Sequence, residues 1–253
     1  MIGRINEYKG KQDLNKQQAT QILNTLRDVA VIQSTKASNA IEGIVVTESR
    51  LHTIMSKTSD PTDRSEAEIA GYRDILNLIY ASAQDIRINP NILLQFHKEL
   101  YNFVPIEGGR WRNVDNEISE TFPDGTRRTR FVPVPAFDTP AAMQALCDRL
   151  KERRQSEDVD PLILTGMFVH DFLSIHPFND GNGRMARLVN RLNQKGHVNH
   201  LSIQEGAKQL KNILVLLSSL SEQDHYMGST RFSPYLTKIK NKQAQLIKIA
   251  SPN

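Results

Sequence analysis

Between two stretches of helical periodicity the chain runs His176-Pro177-Phe178-Asn179-Asp180-Gly181-Asn182-Gly183-Arg184, with Arg187 three residues further on. Pro177 disfavours the α region at His176, so a helix arriving there has to stop. Helical spacing resumes at Arg184 and runs through Arg191 and Leu192. The segment is therefore a loop feeding a helix N-terminus. Gly181 and Gly183 can take positive φ and let the backbone approach a ligand, and the first N–H groups of the next helix have no intrahelical partners. Turn formation accounts for the glycines and asparagines, and solvation for the arginines. It does not account for a histidine, a carboxylate and two guanidinium groups within twelve residues, a set suited to phosphate.

The rest of the chain reads as helices. Lys16 to Ile32 places Ile22, Leu26, Val29 and Ile32 at helical spacing, and a second helix over Ser34 to Ile41 ends near Gly43, a residue suited to the position past a helix end. Arg64 to Ser82 carries Ile69, Tyr72, Ile75, Leu76 and Ile79 on one side, and Asn91 to Tyr101 repeats the pattern with Leu94, His97 and Leu100. From Gly108 to Pro135 the character changes, and Asp124-Gly125 between two alternating runs predicts a hairpin over about 118–132 that must lean on the helices. Met143, Leu146 and Leu150 mark a helix over Pro140 to Arg154. Asp160 before Pro161 opens another, with Leu164, Phe168, Phe172 and Ile175 down one side, and this one delivers His176. Further helices are expected over 202–220 and 233–250. The fold class is all-α with one small β-hairpin.

With 253 residues and 39% hydrophobic content, the chain can bury a substantial core without disulfides or metal staples. Its one cysteine, Cys147, forms no intramolecular disulfide and reads as a small buried hydrophobe. Met1 to Asn6 lacks the apolar core of a secretory signal, and no apolar stretch is long enough to cross a bilayer, so a soluble cytoplasmic protein is expected. A net charge of +4 suits nucleotide phosphates. Nucleic-acid binding would need a recognition helix or a dense basic stripe, and the Lys238 to Lys242 run reads as a solvated helix face.

The loop residues divide the chemistry among themselves. His176 is the one side chain in the loop able to take a proton from an attacking hydroxyl near neutral pH. Asp180 offers a hard oxygen ligand for Mg²⁺, whose shell phosphate oxygens and water complete. Asn182 and the N–H groups of Gly181 and Gly183 can donate to phosphate oxygens, and Arg184 and Arg187 add charged donors. His97 and His170 lack partners at ligand spacing and read as core histidines. Tyr226 and Tyr235 read as packing residues.

This segment resembles the Fic family signature: His-Pro-Phe, any residue, Asp or Glu, Gly-Asn-Gly-Arg, two residues, Arg. The similarity extends through Gly109-Arg110-Trp111-Arg112, the hairpin and the helix from Pro161, over roughly residues 33–200. It implies a Fic-type helical bundle with a flap, and transfer of AMP from ATP to a Ser, Thr or Tyr hydroxyl of another protein. By resemblance His176 is the general base, Asp180 the metal ligand for Mg²⁺, Asn182 the α-phosphate binder, and Arg184 and Arg187 the contacts to the departing phosphates. Phe178 is expected to anchor the loop and Pro177 to shape it. Gly183 sets the chain apart from a kinase branch that has Lys there.

Upstream, Ser38-Asn39-Ala40-Ile41-Glu42-Gly43 is similar to the family's inhibitory motif. Ser38 and Glu42 are four apart and share a helix face. The resemblance implies that Glu42 pairs with Arg184 and competes with phosphate for its guanidinium fork. It also implies a division into an N-terminal helical region (1–90, inhibitory helix about 33–43), a catalytic core (91–200, flap 118–132) and C-terminal helices (201–253). The partners expected are ATP, a target protein whose segment adds to the flap as an extra strand, and a second copy of the chain in a homodimer. Removal of AMP, or transfer of another nucleotide or phosphocholine, stands as the alternative on the same site.

Overall fold

The computed structural model describes residues 20–195 apart from 123 and 157. The helices expected over 202–220 and 233–250, Tyr226, Tyr235, the Lys238 to Lys242 run and the side chains of Ile22 and Leu26 lie outside what is described.

Helix α1, Thr20–Ile41, is one continuous helix where two were expected. No proline or glycine separates Ile32 from Ser34, so nothing in the backbone ends the first segment. Its inward face is Val31, Thr35, Ser38 and Asn39, while Val29, assigned inward from its spacing, is 51% exposed. Asn39 donates through Nδ2 to the Thr35 carbonyl at 2.8 Å. The helix ends as Gly43 predicts. With Gly43 at φ +77, its N–H donates to the Ala40 carbonyl and the Ile44 N–H to that of Asn39, the pair of bonds that defines a Schellman cap.

Helix α2, Glu48–Met55, was not anticipated. Its eight residues are shorter than the window in which a 3.6-residue period shows. Thr47 caps it, and Leu51 and Ile54 pack with Ile69 and Ala70 in a small cluster. Helix α3, Arg64–Ser82, starts on an Asp63 cap that accepts the Glu66 N–H at 2.9 Å. Glu66 is buried and takes both forks of Arg50, at 2.6 and 2.5 Å, and the Thr62 N–H and hydroxyl at 2.8 Å. The Arg50 bond outweighs burial and holds the Glu66 carboxyl down at about 2, locking the loop between α2 and α3.

Helix α4, Pro90–Leu100, starts on an Asn89 cap with proline in its first turn. It lies so close to α3 that a Cβ at Gly71 would sit 2.8 Å from the Leu100 carbonyl carbon. The flap follows: β1, Ile118–Thr121, pairs antiparallel with β2, Arg127–Phe131, with Ser119 opposite Thr129 and an irregularity beside Ile118. Gly125, at φ +81, turns the chain between them.

Helix α5, Thr139–Ser156, helix α6, Pro161–Ile175, and helix α7, Asn182–Lys195, complete the described bundle. Asp160 caps α6 as expected, accepting the Leu162 N–H at 2.8 Å. One buried cluster runs from Val31 to Leu192 and so crosses residue 90, where the N-terminal region was divided from the catalytic core. Phe168 and Phe172 of α6 sit in it beside Met185, Leu188 and Val189 of α7 and Ile75, Leu76 and Ile79 of α3. Cys147 lies inside this core, where burial pushes its thiol up to about 12 and leaves it inert. No helix among the described residues is long and apolar enough to cross a membrane.

Candidate active site

The loop between α6 and α7 is braced from below and behind. Phe178 is fully buried, stacked on His97 at 3.8 Å between ring centroids and on Trp111 at 5.1 Å. His97 accepts the Gly109 N–H at Nδ1, 2.9 Å, which makes Nε2 the protonated nitrogen that donates to the Asp180 carbonyl at 3.1 Å. Burial pushes this imidazole down to about 4, so it stays neutral and structural. The Asn182 side chain accepts the Phe178 N–H at 3.0 Å and donates to the Phe178 carbonyl at 2.7 Å. Both ends of its amide thus staple the loop, using one of the two Nδ2 hydrogens. Its backbone N–H, first in α7, remains a donor of the kind helix starts offer.

His176 ends α6 in the left-handed region, φ 53 and ψ 59, with its N–H on the Phe172 carbonyl at 2.9 Å. A non-glycine residue is held there at a cost, because the proline behind it closes the α region and the surroundings impose the turn. The chief restraint is Arg112. Its side chain is 1% exposed and donates to the carbonyls of His176 at 2.9 Å, Ile175 at 3.4 Å and Val114 at 3.2 Å, and to that of Val134. Its own N–H donates to the Pro177 carbonyl at 2.9 Å. A cation thus satisfies the carbonyls that α6 leaves open at its negative end. The His176 ring is half-buried with Nδ1 enclosed, and burial lowers its pKa, so the imidazole is neutral and able to accept a proton.

Gly181, at φ +79, starts α7 by accepting the Met185 N–H at 2.9 Å, and a Cβ there would meet the Tyr101 hydroxyl at 2.9 Å. Asp180 is 61% exposed, accepts the Gly181 N–H through Oδ1 at 2.6 Å, and keeps Oδ2 at 3.7 Å from Arg64 and 3.8 Å from Arg184. A lone, largely exposed carboxylate whose Oδ2 meets its cations only at long range fits Mg²⁺ in the presence of phosphate, since that ion needs one or two carboxylates and fills its shell from substrate and water. No cluster of three acidic, histidine or cysteine ligands exists among the described residues.

The two arginines have separate fates. Arg184 is buried, bonded to the buried Glu68 carboxylate and donating to the Tyr101 hydroxyl at 2.8 Å, with its guanidinium 5.4 Å over the Tyr101 ring. As the third residue of α7 its side chain points back toward the preceding turn and into the seam with α3 and α4. Arg187, one turn on, faces α1. It donates through Nε to the Ser38 hydroxyl at 2.7 Å and through Nη2 to the Ser38 carbonyl at 2.9 Å and Glu42 Oε1 at 2.5 Å. The expected Glu42–Arg184 pair is therefore replaced by Glu42–Arg187, because Arg184 is already consumed by Glu68. The Glu42 carboxylate also lies directly on Gly183, where any Cβ would collide with Oε1.

Residues 87–192 match the family model described as Fic/DOC. The chain carries a Fic/DOC domain. It is 27% identical over 168 residues to a protein adenylyltransferase Fic of Nematostella vectensis, covering 63% of this chain and 36% of that protein. One from Drosophila willistoni is 29% identical over 181 residues, covering 68% and 33%. The chain thus spans about a third of the length of the curated relatives it matches. A Fic family protein from Desulfovibrio desulfuricans G20 superposes with a TM-score of 0.66 at 24% identity, covering 88% of this chain and 66% of that one. A Fic domain containing signaling protein from Bacteroides thetaiotaomicron VPI-5482 gives 0.65 at 19%, covering 84% and 80%. These likenesses show a Fic fold.

Within this Fic domain the structure brings His176, Asp180, Gly181, Asn182, Gly183 and Arg187 to one loop and helix start, and sets Ser38 and Glu42 against it, while Gly43 serves only to end the helix that carries them. Arg112, Glu68, Tyr101 and His97 hold that arrangement, and none was given this role from sequence. Arg112 carried a signal, as a charge inside a glycine-rich approach to the flap. Glu68 carried none, since an acidic residue in the first turns of a helix reads as solvated.

Proposed function

We propose that the chain is a protein adenylyltransferase whose Fic site is closed by its own first helix. The observation that carries the reading is a neutral, half-buried imidazole at His176 on the loop that feeds the glycine-opened start of α7, with Arg187 of that helix clasped by Glu42. Relatives at 27–29% identity named protein adenylyltransferase Fic support the same chemistry.

The target hydroxyl attacks the α-phosphorus of ATP, the bond to the β-phosphate's bridging oxygen breaks and pyrophosphate leaves. His176 takes the hydroxyl proton at its ring nitrogen as the new P–O bond forms. The amides at the start of α7 donate to the phosphate oxygens as charge shifts, in a geometry set before the reaction. Arg187, once released by Glu42, is the charged donor at the terminal phosphates. Arg184 works indirectly, fixing Asp180 and the helix start from within the core. Asp180 would hold Mg²⁺, which supplies charge neutralisation to the triphosphate when bound.

Glu42 acts as a brake by occupying the guanidinium of Arg187 and the space over Gly183. With Mg²⁺ and α-labelled ATP, Glu42→Gly is expected to raise label on the protein or its target at least tenfold, roughly the worth of one released charged hydrogen bond. Glu42→Gly with His176→Ala is expected to lose it. Label equal in Glu42→Gly and wild type contradicts the brake, and label surviving the double variant contradicts the base. Glu42 commits only Oε1 to Arg187, leaving Oε2 able to orient a water, which is the observation favouring AMP removal as a second reading. Incubating a modified target with wild type and Glu42→Gly separates the two, since removal requires the glutamate and transfer does not.

A further inference from the structure

At the opposite end of α6 from His176, about 22 Å along a 15-residue helix, lies a cavity of about 670 Å³. The loop after α3, the last turn of α5, the start of α6 and the end of α7 enclose it. Ile88, Leu164 and Leu192 give it an apolar wall, and Arg87, Arg153 and Arg154 line the rest.

Basic residues in the last turn of α5 are ordinarily explained by the negative helix end. That explanation covers Arg153, which also pairs with Asp158 at 3.2 Å. It leaves Arg87 and Arg154. Among the described residues neither pairs with a carboxylate, and Arg154 donates only to the neutral side-chain oxygen of Asn193. Asp158 bonds Arg153 and Ser156, Asp160 is spent on the α6 cap, and Asp85 and Glu152, though close in sequence, do not line the cavity. Burial and the charge of Arg87 both push the Arg154 pKa down, so the two cations destabilise each other across a partly buried space. The positive end of α6 adds to the same potential. An unanswered pair of cations beside an apolar wall, in a volume within the range of small-molecule sites, has one chemical complement.

We infer that this cavity is a second ligand site, separate from the phosphate loop, that takes a small organic anion, with its phosphate or carboxylate head between Arg87 and Arg154 and its apolar body on Ile88, Leu164 and Leu192. Both helices that carry the catalytic loop, α6 and α7, form part of its wall. The site does not depend on the reaction proposed above.

Calorimetric titration of the full chain with 1-naphthyl phosphate, 1-naphthoate, inorganic phosphate and 1-naphthol tests it. Saturable one-to-one binding is expected for at least one naphthyl anion, and whichever binds names the head group. The neutral naphthol and bare phosphate should bind at least tenfold more weakly. Arg87→Gln, on an exposed side chain, and Arg154→Gln should each weaken the anion roughly tenfold, the worth of one charged hydrogen bond. Glu42→Gly and Arg187→Ala should leave it unchanged. Binding by neither anion, equal binding in Arg87→Gln, or loss in Arg187→Ala, which would put the anion on the phosphate loop, overturns the inference.

Discussion

Arg184 and Arg187 sit three residues apart in the same signature and do opposite work. Arg184 is enclosed with Glu68, so Arg184→Ala would strand a buried carboxylate and is expected to cost about 3–5 kcal/mol in urea unfolding. Arg187 and Glu42 are partly solvated, and Arg187→Ala is expected to stay within about 1 kcal/mol of wild type while removing labelling in the Glu42→Gly background. Equal destabilisation by the two changes would contradict this division. His97 supplies a pH signature. Its folded pKa, about 4, lies below the ordinary 6.5, so the unfolded chain binds the extra proton and stability falls as pH drops from 6.5 toward 4. The loss is on the order of 3 kcal/mol across that window. Urea midpoints at pH 6.5, 5.5 and 4.5 check it, and His97→Gln should flatten that slope. These residue roles were legible only in part. Residue types and spacing placed His176, Asp180 and the two glycines on one loop at a helix start, but which arginine meets Glu42 depends on where α3 puts Glu68.

Elements show the same split. Caps with local chemistry were readable: Asp160-Pro161 opens α6, Gly43 closes α1, and Asp124-Gly125 turns the flap. The unbroken α1 and the short α2 were not, because periodicity marks where a helix faces the core and says little about where it pauses. The end of α6 is an element held by a distant residue. The Arg112 side chain answers four carbonyls, those of Ile175, His176, Val114 and Val134, and Arg112→Lys keeps the charge while losing the fork. The change is expected to lower thermal stability by about 2 kcal/mol and to reduce labelling in the Glu42→Gly background beyond what that stability loss explains. Labelling unchanged at a temperature where the variant is folded would show that Arg112 does not position the base.

For the molecule as a whole, α3 is the hub. It meets α1, α2, α4 and α7, supplies Glu68 to the loop, and lies upstream of the residues the family model matches. Its seam with α4 closes only because residue 71 has no side chain. Gly71→Ala would drive a Cβ into the Leu100 carbonyl and push the helices apart. A loss of about 3 kcal/mol or more is expected by denaturant unfolding, the upper end for overpacked sites. A loss below about 1 kcal/mol would mean that the seam yields without cost.

What the sequence determined by itself was local. A proline behind a histidine ends one helix, two glycines open the start of the next, and the residue types between them are those of phosphate chemistry. What the tertiary structure decided was which of these groups are available. The Asn182 amide staples its own loop, Arg184 is taken by Glu68 and Arg187 by Glu42, because a donor's partner is chosen by what packs within three ångströms of it. That distance is set by helices far apart in the chain, so no spacing along the chain encodes it.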